Sequence, residues 1–212
     1  MFPMNGPWYA VTKRLMDIVA AAAGLAVLAP IILLIAVAVK LDSRGPVFHR
    51  GVRVGRGGKP FTMLKFRSMV ADAERRGASS TPGDDPRLTC VGGWLRRYKL
   101  DEVPQLINVL RGEMSLVGPR PQVPWAVERY SPVERRVLSV RPGMTDYASL
   151  AFINEGEILR GSHDPDRDYF EKIHPDKMRL SLKYVDEMSL RTDLSILAAT
   201  LASVVRRGEA AP

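Results

Sequence analysis

IVAAAAGLAVLAPIILLIAVAV, residues 18–39, is the stretch that decides how this chain is built. It holds 22 consecutive residues without a charge, about the number a helix needs to cross the hydrocarbon of a bilayer. Three architectures compete for it. A removable signal peptide would use Lys13 and Arg14 as its basic start and Ala36-Val37-Ala38 as its cleavage site, but the apolar run is longer than the core of such a segment. A plain spanning helix has the right length. Two features point instead to a re-entrant hairpin bending at Ala29 and Pro30. Pro30 removes a backbone donor near the middle of the run and clashes with the preceding turn. Both flanks are basic, with Lys13 and Arg14 before the run and Lys40 and Arg44 after it, which draws both ends to the cytoplasmic side. Two helices of roughly 11 residues would each rise about 16 Å, enough to dip into one leaflet and return. On these grounds alone, hairpin and span are evenly matched.

The rest of the chain has the composition of one folded unit. Its 212 residues are 46% hydrophobic, which excludes wholesale disorder and allows a sizeable core. Thirty-one Lys and Arg against 23 Asp and Glu leave a formal charge of +8, favouring anionic partners: phosphates, nucleic acid or a lipid surface. A single cysteine, Cys90, and three scattered histidines, His49, His163 and His174, argue against a disulfide, a zinc site or a Cys/His catalytic pair. Residues 43–71 carry seven basic residues, Lys65 and Arg67 among them, and no acid. That segment wants an anion nearby, although a solvated basic face explains such a run equally well.

Glycine punctuation between Val, Phe and Thr runs in GPVFHRGVRVGRGGKPFTMLKFRSM predicts a strand hairpin turning at residues 56–59. A phosphate loop is excluded, because Lys59 precedes Pro60 and no glycine stands five residues before Gly58. A short helix is expected over 70–76, then a polar loop over 77–87. VGGWLRRYKLDEVPQLINVLRGEMSLVGPRP reads as helix, brief break, helix and Pro-rich turn, with Leu100, Val103, Leu106, Ile107 and Leu110 on one buried face. Further helices are expected over 132–140, 175–188 and 193–207, the last amphipathic and suited either to a membrane surface or to packing on the domain. Asp164, Asp166 and Asp168 fail the calcium-loop template, which Tyr169 and Pro175 break, and read as a solvated turn.

The adjacent acids Asp101 and Glu102 follow Arg96, Arg97 and Lys99. One explanation is structural: an acid at a helix start accepts from orphan amides and complements the macrodipole, and Pro104 suits the first turn. The other is chemical. A helix start attracts phosphate, nearby cations hold a carboxylate ionised, and an ionised aspartate can attack phosphorus while a neighbouring glutamate offers magnesium a hard oxygen ligand.

KRLMDIVAAAAGLAVLAPIILLIAVAVKLDSRGPVFHRGVRVGRGGKPFTMLKFRSM, LDEVPQLINVLRGEMSLVGPRP and VRPGMTDYAS together resemble the bacterial sugar transferases called small monotopic phosphoglycosyl transferases, over roughly residues 13–205. The resemblance implies transfer of a phosphosugar from a UDP-sugar donor to a polyprenyl phosphate acceptor such as undecaprenyl phosphate, giving a polyprenyl diphosphosugar and UMP and initiating glycan assembly. It implies a covalent aspartyl phosphosugar at Asp101 and a ping-pong mechanism. It further implies Glu102 as ligand to Mg2+, Arg96 and Arg120 as phosphate clamps, and Arg141, Lys65 and Arg67 as further phosphate-binding candidates. The implied architecture is α+β and predominantly helical: a re-entrant helix-break-helix hairpin (1–41) and a catalytic domain (42–212) with a small β-hairpin and amphipathic interfacial helices. The implied setting is the bacterial inner membrane, among its lipids, with the catalytic domain facing the cytoplasm and no nucleic-acid partner; a homodimer stays open. Relatives usually carry Ser-Pro at the bend where this chain has Ala29-Pro30. Many continue differently after RPGMT, so DYASLAFINEGEIL leaves the sugar undefined. The alternatives are a non-catalytic, membrane-tethered protein that binds anionic lipid or nucleic acid through its basic segment, and a glycosyltransferase that releases UDP.

Overall fold

The computed structural model describes residues 6–73 and 77–209. In chain order its principal elements are α1 (Pro7–Asp42), β1 (Phe48–Val54), β2 (Pro60–Phe66), α2 (Cys90–Arg97), α3 (Gln105–Arg111), β3 (Ser115–Val117), β4 (Gly143–Thr145), α4 (His174–Glu187) and α5 (Leu190–Glu209). Short helical turns fill most of the connections. The architecture is α+β with helices dominant, as expected.

The break expected at Ala29 and Pro30 does not interrupt α1, which runs as one helix through both residues. Proline deletes a single donor and imposes a bend, but alanine, leucine and isoleucine turns on either side keep the helix going. What constrains α1 is its packing. Before Pro30, Asp17 accepts the amide of Leu116 at 3.0 Å, and Ala21 lies in the main core with Leu106, Val109, Met114 and Tyr184. After Pro30, Ile35 and Val39 are buried against Phe66 and Leu95. Both halves therefore rest on the same body. The opposite face, with Val11, Leu15, Val19, Val27, Leu33, Leu34 and Leu41, is exposed and apolar. A helix this long and apolar is able to cross a membrane, and only 11% of its apolar window is buried, so it is not the core helix of a water-soluble fold.

The β1–β2 hairpin pairs Phe48 with Phe66 and Val54 with Pro60, and it turns where expected. Gly57 and Gly58 take φ of 68° and 77°, the left-handed region that glycine enters without a Cβ penalty. Asn108 fixes α3 to this hairpin. Its Oδ1 accepts the Leu64 amide at 3.0 Å, and its Nδ2 donates to the Thr62 carbonyl at 2.7 Å and to Glu113 at 2.6 Å. A second, parallel pair, β3–β4, was not foreseen, because three-residue strands carry no periodic signal. There the two backbones touch: a Cβ on Gly143 would stand 2.1 Å from the Gly118 nitrogen. That contact sets the course of the chain into Pro119 and Arg120.

Two helical expectations change. A 3₁₀ helix, Glu134–Ser139, replaces the α-helix expected over 132–140, because extended Val140 ends the segment after two tight turns. Of the helix expected over 70–76, residues 74–76 lie outside the described residues, and 71–72 form a turn. The last helix takes the packing alternative, with Ile196 in the main core and Leu194 and Leu201 facing out.

Arg67 has a structural task. Its guanidinium is buried and donates to the carbonyls of Val39 (3.0 Å), Ser43 (2.7 Å) and Arg44 (3.1 Å) and to the Ser43 hydroxyl (2.9 Å), closing the C-terminus of α1. Arg67→Met should therefore lower stability by about 2–3 kcal/mol, read as thermal unfolding in detergent; an unchanged melting temperature would contradict this task.

Candidate active site

Asp101 and Glu102 sit in a single 3₁₀ turn, Leu100–Glu102, between α2 and α3. Lys99 enters this turn with φ 58°, the one non-glycine positive φ among the described residues, at a cost of roughly 1–2 kcal/mol. Backbone strain of this kind concentrates at functional sites. The helix-start explanation for Asp101 is not used, since no side chain caps α3 and Pro104 occupies its N-cap position.

The two carboxylates have opposite surroundings. Glu102 receives both nitrogens of the Arg120 fork, Nη1 reaching Oε2 at 3.0 Å and Nη2 bonding Oε1, and Lys65 Nζ adds a bond to Oε1 at 3.0 Å. Arg120 also donates to the Met144 carbonyl at 3.3 Å, so the β3–β4 contact and the clamp on Glu102 form one assembly. Asp101 is 4% exposed, and its Oδ1 has no hydrogen-bond partner.

Electrostatics follow the same split. Burial alone would raise the Glu102 pKa, but Arg120 and Lys65 overcome it and hold this carboxyl well below the usual range. For Asp101 burial wins and raises the pKa, although Lys65, Arg96 and Lys99 oppose it. The expected pull of the flanking cations on Asp101 is present, and desolvation acts against it. Burial likewise lowers the pKa of Lys65 and Lys99. Adjacent acids whose environments push their pKa values apart are suited to different chemical roles.

The remaining candidates divide. Lys65 and Arg120 are in the site. Arg96 acts on Asp101 through its charge, while its Nη2 bonds the Thr81 hydroxyl at 3.2 Å. Arg67 is committed to α1. Arg141 Nε donates to the Gly112 carbonyl at 3.0 Å, and its charged neighbours are Arg14, Arg56 and Asp17 instead of the acid pair. Ala29 and Pro30 belong to α1. Two residues were not singled out from the sequence. One is Asn108, the tie to β2. The other is Gln105, fully buried, with neither amide atom hydrogen-bonded, which costs about 1–3 kcal/mol for each unpaired group. The available signal was a polar residue inside the apolar spacing of Val103, Leu106 and Leu110.

The sequence profile of the bacterial sugar transferases matches residues 8–207. The chain is similar to the undecaprenyl-phosphate glucose phosphotransferase of Komagataeibacter xylinus, 38% identical over 205 residues; the match takes in 92% of this chain and 36% of that protein. It is similar to the UDP-glucose:undecaprenyl-phosphate glucose-1-phosphate transferase of Caulobacter vibrioides, 39% identical, across 91% of this chain and 69% of that one. It is also similar to the exopolysaccharide production protein PSS of Rhizobium leguminosarum bv. phaseoli, 37% identical, across 94% of this chain and 98% of that protein.

Proposed function

The chain belongs to the bacterial sugar transferase family, and on that premise we propose that it transfers a sugar phosphate from a UDP-sugar to undecaprenyl phosphate, the first membrane step in building a polysaccharide. Relatives named for this activity support the substrates. The observation that carries the assignment to these residues is the contrast within the acid pair: Glu102 is held by Arg120 and Lys65, while Asp101 keeps an unpaired oxygen.

In the proposed sequence, an Asp101 carboxylate oxygen attacks the phosphorus that bears the sugar. The bond from that phosphorus to the bridging oxygen breaks, and UMP leaves with that oxygen. An oxygen of the lipid phosphate then attacks the same phosphorus, the bond to Asp101 breaks, and the carboxylate is regenerated as the polyprenyl diphosphosugar forms. Arg120 and Lys65, already gathered on Glu102, are placed to receive the diphosphate oxygens when these enter. A substrate must part the side chains that cover Asp101 to reach it.

Glu102 fits a magnesium ligand by its donor type. No cluster of three or more His, Cys, Asp or Glu converges among the described residues, so a cation held here would draw its remaining ligands from substrate phosphate and water. Bound there, magnesium would neutralise developing charge on the diphosphate.

The membrane part of the proposal is monotopic. α1 lies in one leaflet with its bend at Pro30 and both ends on the cytoplasmic face of the inner membrane. Its support is the packing of both halves on one body and the basic residues at both ends.

The deciding experiment supplies UDP-sugars, magnesium and undecaprenyl phosphate to the protein in nanodiscs and identifies the released nucleotide. UMP is expected, with release stopped by EDTA. UDP would mean cleavage of the sugar–oxygen bond, and no nucleotide from any donor would favour a binding protein.

A further inference from the structure

The stretch from the 3₁₀ turn Leu100–Glu102 into α3 buries three polar side chains, Asp101, Gln105 and Asn108, four and three residues apart in sequence. Asn108 spends its whole carboxamide on β2 and Glu113. Gln105 spends none. It is 0% exposed, and neither Nε2 nor Oε1 has a partner. Five buried side-chain polar atoms without a partner occur among the described residues, and three belong to Gln105 and Asp101; the others are Arg67 Nε and Ser115 Oγ. A methionine of similar length would fill the same space without stranding an amide, so packing does not account for the polar head. An unpaired donor, Gln105 Nε2, thus follows an unpaired acceptor, Asp101 Oδ1, four residues along the chain.

We propose that Gln105 is a positioning residue for the phosphosugar transfer, its carboxamide Nε2 donating to one oxygen of Asp101 so that the other faces the incoming phosphorus. This rests on the aspartyl mechanism proposed above. Neither group has another partner to give up, and they pair when a donor diphosphate parts the side chains over Asp101. Gln105 touches neither nucleotide nor sugar in this role, so its removal slows attack and leaves donor affinity alone.

The test is Gln105→Met in nanodiscs, with the UDP-sugar that gives the fastest UMP release. The melting temperature should stay at or above that of the parent, KM for the donor should hold within about threefold, and kcat should fall by about 10- to 100-fold. Without lipid acceptor, intact-protein mass should show the aspartyl adduct forming more slowly but to the same final amount. Parent-like kcat in a folded Gln105→Met protein would overturn the inference. So would a lowered melting temperature with a proportionally lowered adduct amount, the pattern of a purely structural residue. Should Gln105→Met not fold, Gln105→Asn draws the amide back by one methylene and should show the same loss; a parent-like rate there overturns the inference equally. Asp101→Asn run alongside separates the two claims. An adduct on that variant defeats the aspartyl mechanism itself, whereas no adduct there beside an unaffected Gln105→Met defeats the role of Gln105 alone.

Discussion

Asp101→Asn is expected to release UMP at no more than about a thousandth of the parent rate, with donor and magnesium saturating. Asparagine keeps the shape of the side chain in a position only 4% exposed, but its amide cannot form the acyl phosphate. Stability should not follow activity down. The Asp101 carboxyl has a raised pKa in the folded protein because it is buried, so the stability this group contributes is fully present in acid, below the ordinary carboxylate range, and is lost as the pH rises through the folded pKa. Above that folded pKa a charge is buried, and a neutral asparagine avoids it. The variant should therefore melt at the same or a higher temperature, a stability–activity trade found where a reactive group is held in an unfavourable setting. Glu102→Gln should behave oppositely, since it strips a charge from Arg120 and Lys65 and lowers the melting temperature along with activity. Nucleotide release and thermal unfolding on the same preparations read both effects. Turnover of Asp101→Asn within tenfold of the parent would remove Asp101 as the nucleophile.

The second large effect falls on the attachment of α1. Asp193 is fully buried and gathers three donors from distant parts of the chain. Lys13 Nζ and the Tyr9 hydroxyl each reach Oδ2 at 2.9 Å, and the Tyr184 hydroxyl reaches Oδ1 at 2.7 Å. Asp193→Ala leaves the buried Lys13 ammonium without its acceptor and takes one partner from the Tyr9 and Tyr184 hydroxyls, the latter keeping the Val117 carbonyl, which should cost about 3–5 kcal/mol. Replacing both charges, Lys13→Met with Asp193→Leu, should recover most of that loss, because apolar side chains of similar volume carry no desolvation penalty. Unfolding in nanodiscs checks both variants. A loss below about 1 kcal/mol in Asp193→Ala would show that α1 is not held there.

Local chemistry was legible in the sequence, and long-range commitments were not. The hairpin turn showed in its paired glycines, because the left-handed backbone at Gly57 and Gly58 is a property of those residues alone. The acid pair was legible as a pair, and the resemblance placed Arg120 beside it. Nothing in the spacing separated Lys65 from Arg67, two residues apart and so expected on one face of an extended strand: Lys65 lies in β2 and meets Glu102, whereas Arg67 follows the end of β2 and closes α1. The contact of Arg141 was hidden for the same reason, since its partner Gly112 is 29 residues away. The partial desolvation of Asp101 depends on everything packed around it and leaves no mark in a run of cations. At Pro30 a rule about backbone donors foretells a bend and is silent on whether the helix resumes, which it does here.

Arg14 belongs to α1, yet its guanidinium bonds the carbonyls of Val109 and Leu110 at 2.6 and 2.9 Å, finishing the far end of the helix whose near end follows the reactive turn. The long apolar helix is thus a structural part of the body it packs on. Trimming it to obtain a water-soluble form would open α3 from behind, so purification and screening for inhibitors belong in a bilayer mimic with the N-terminal helix left in place.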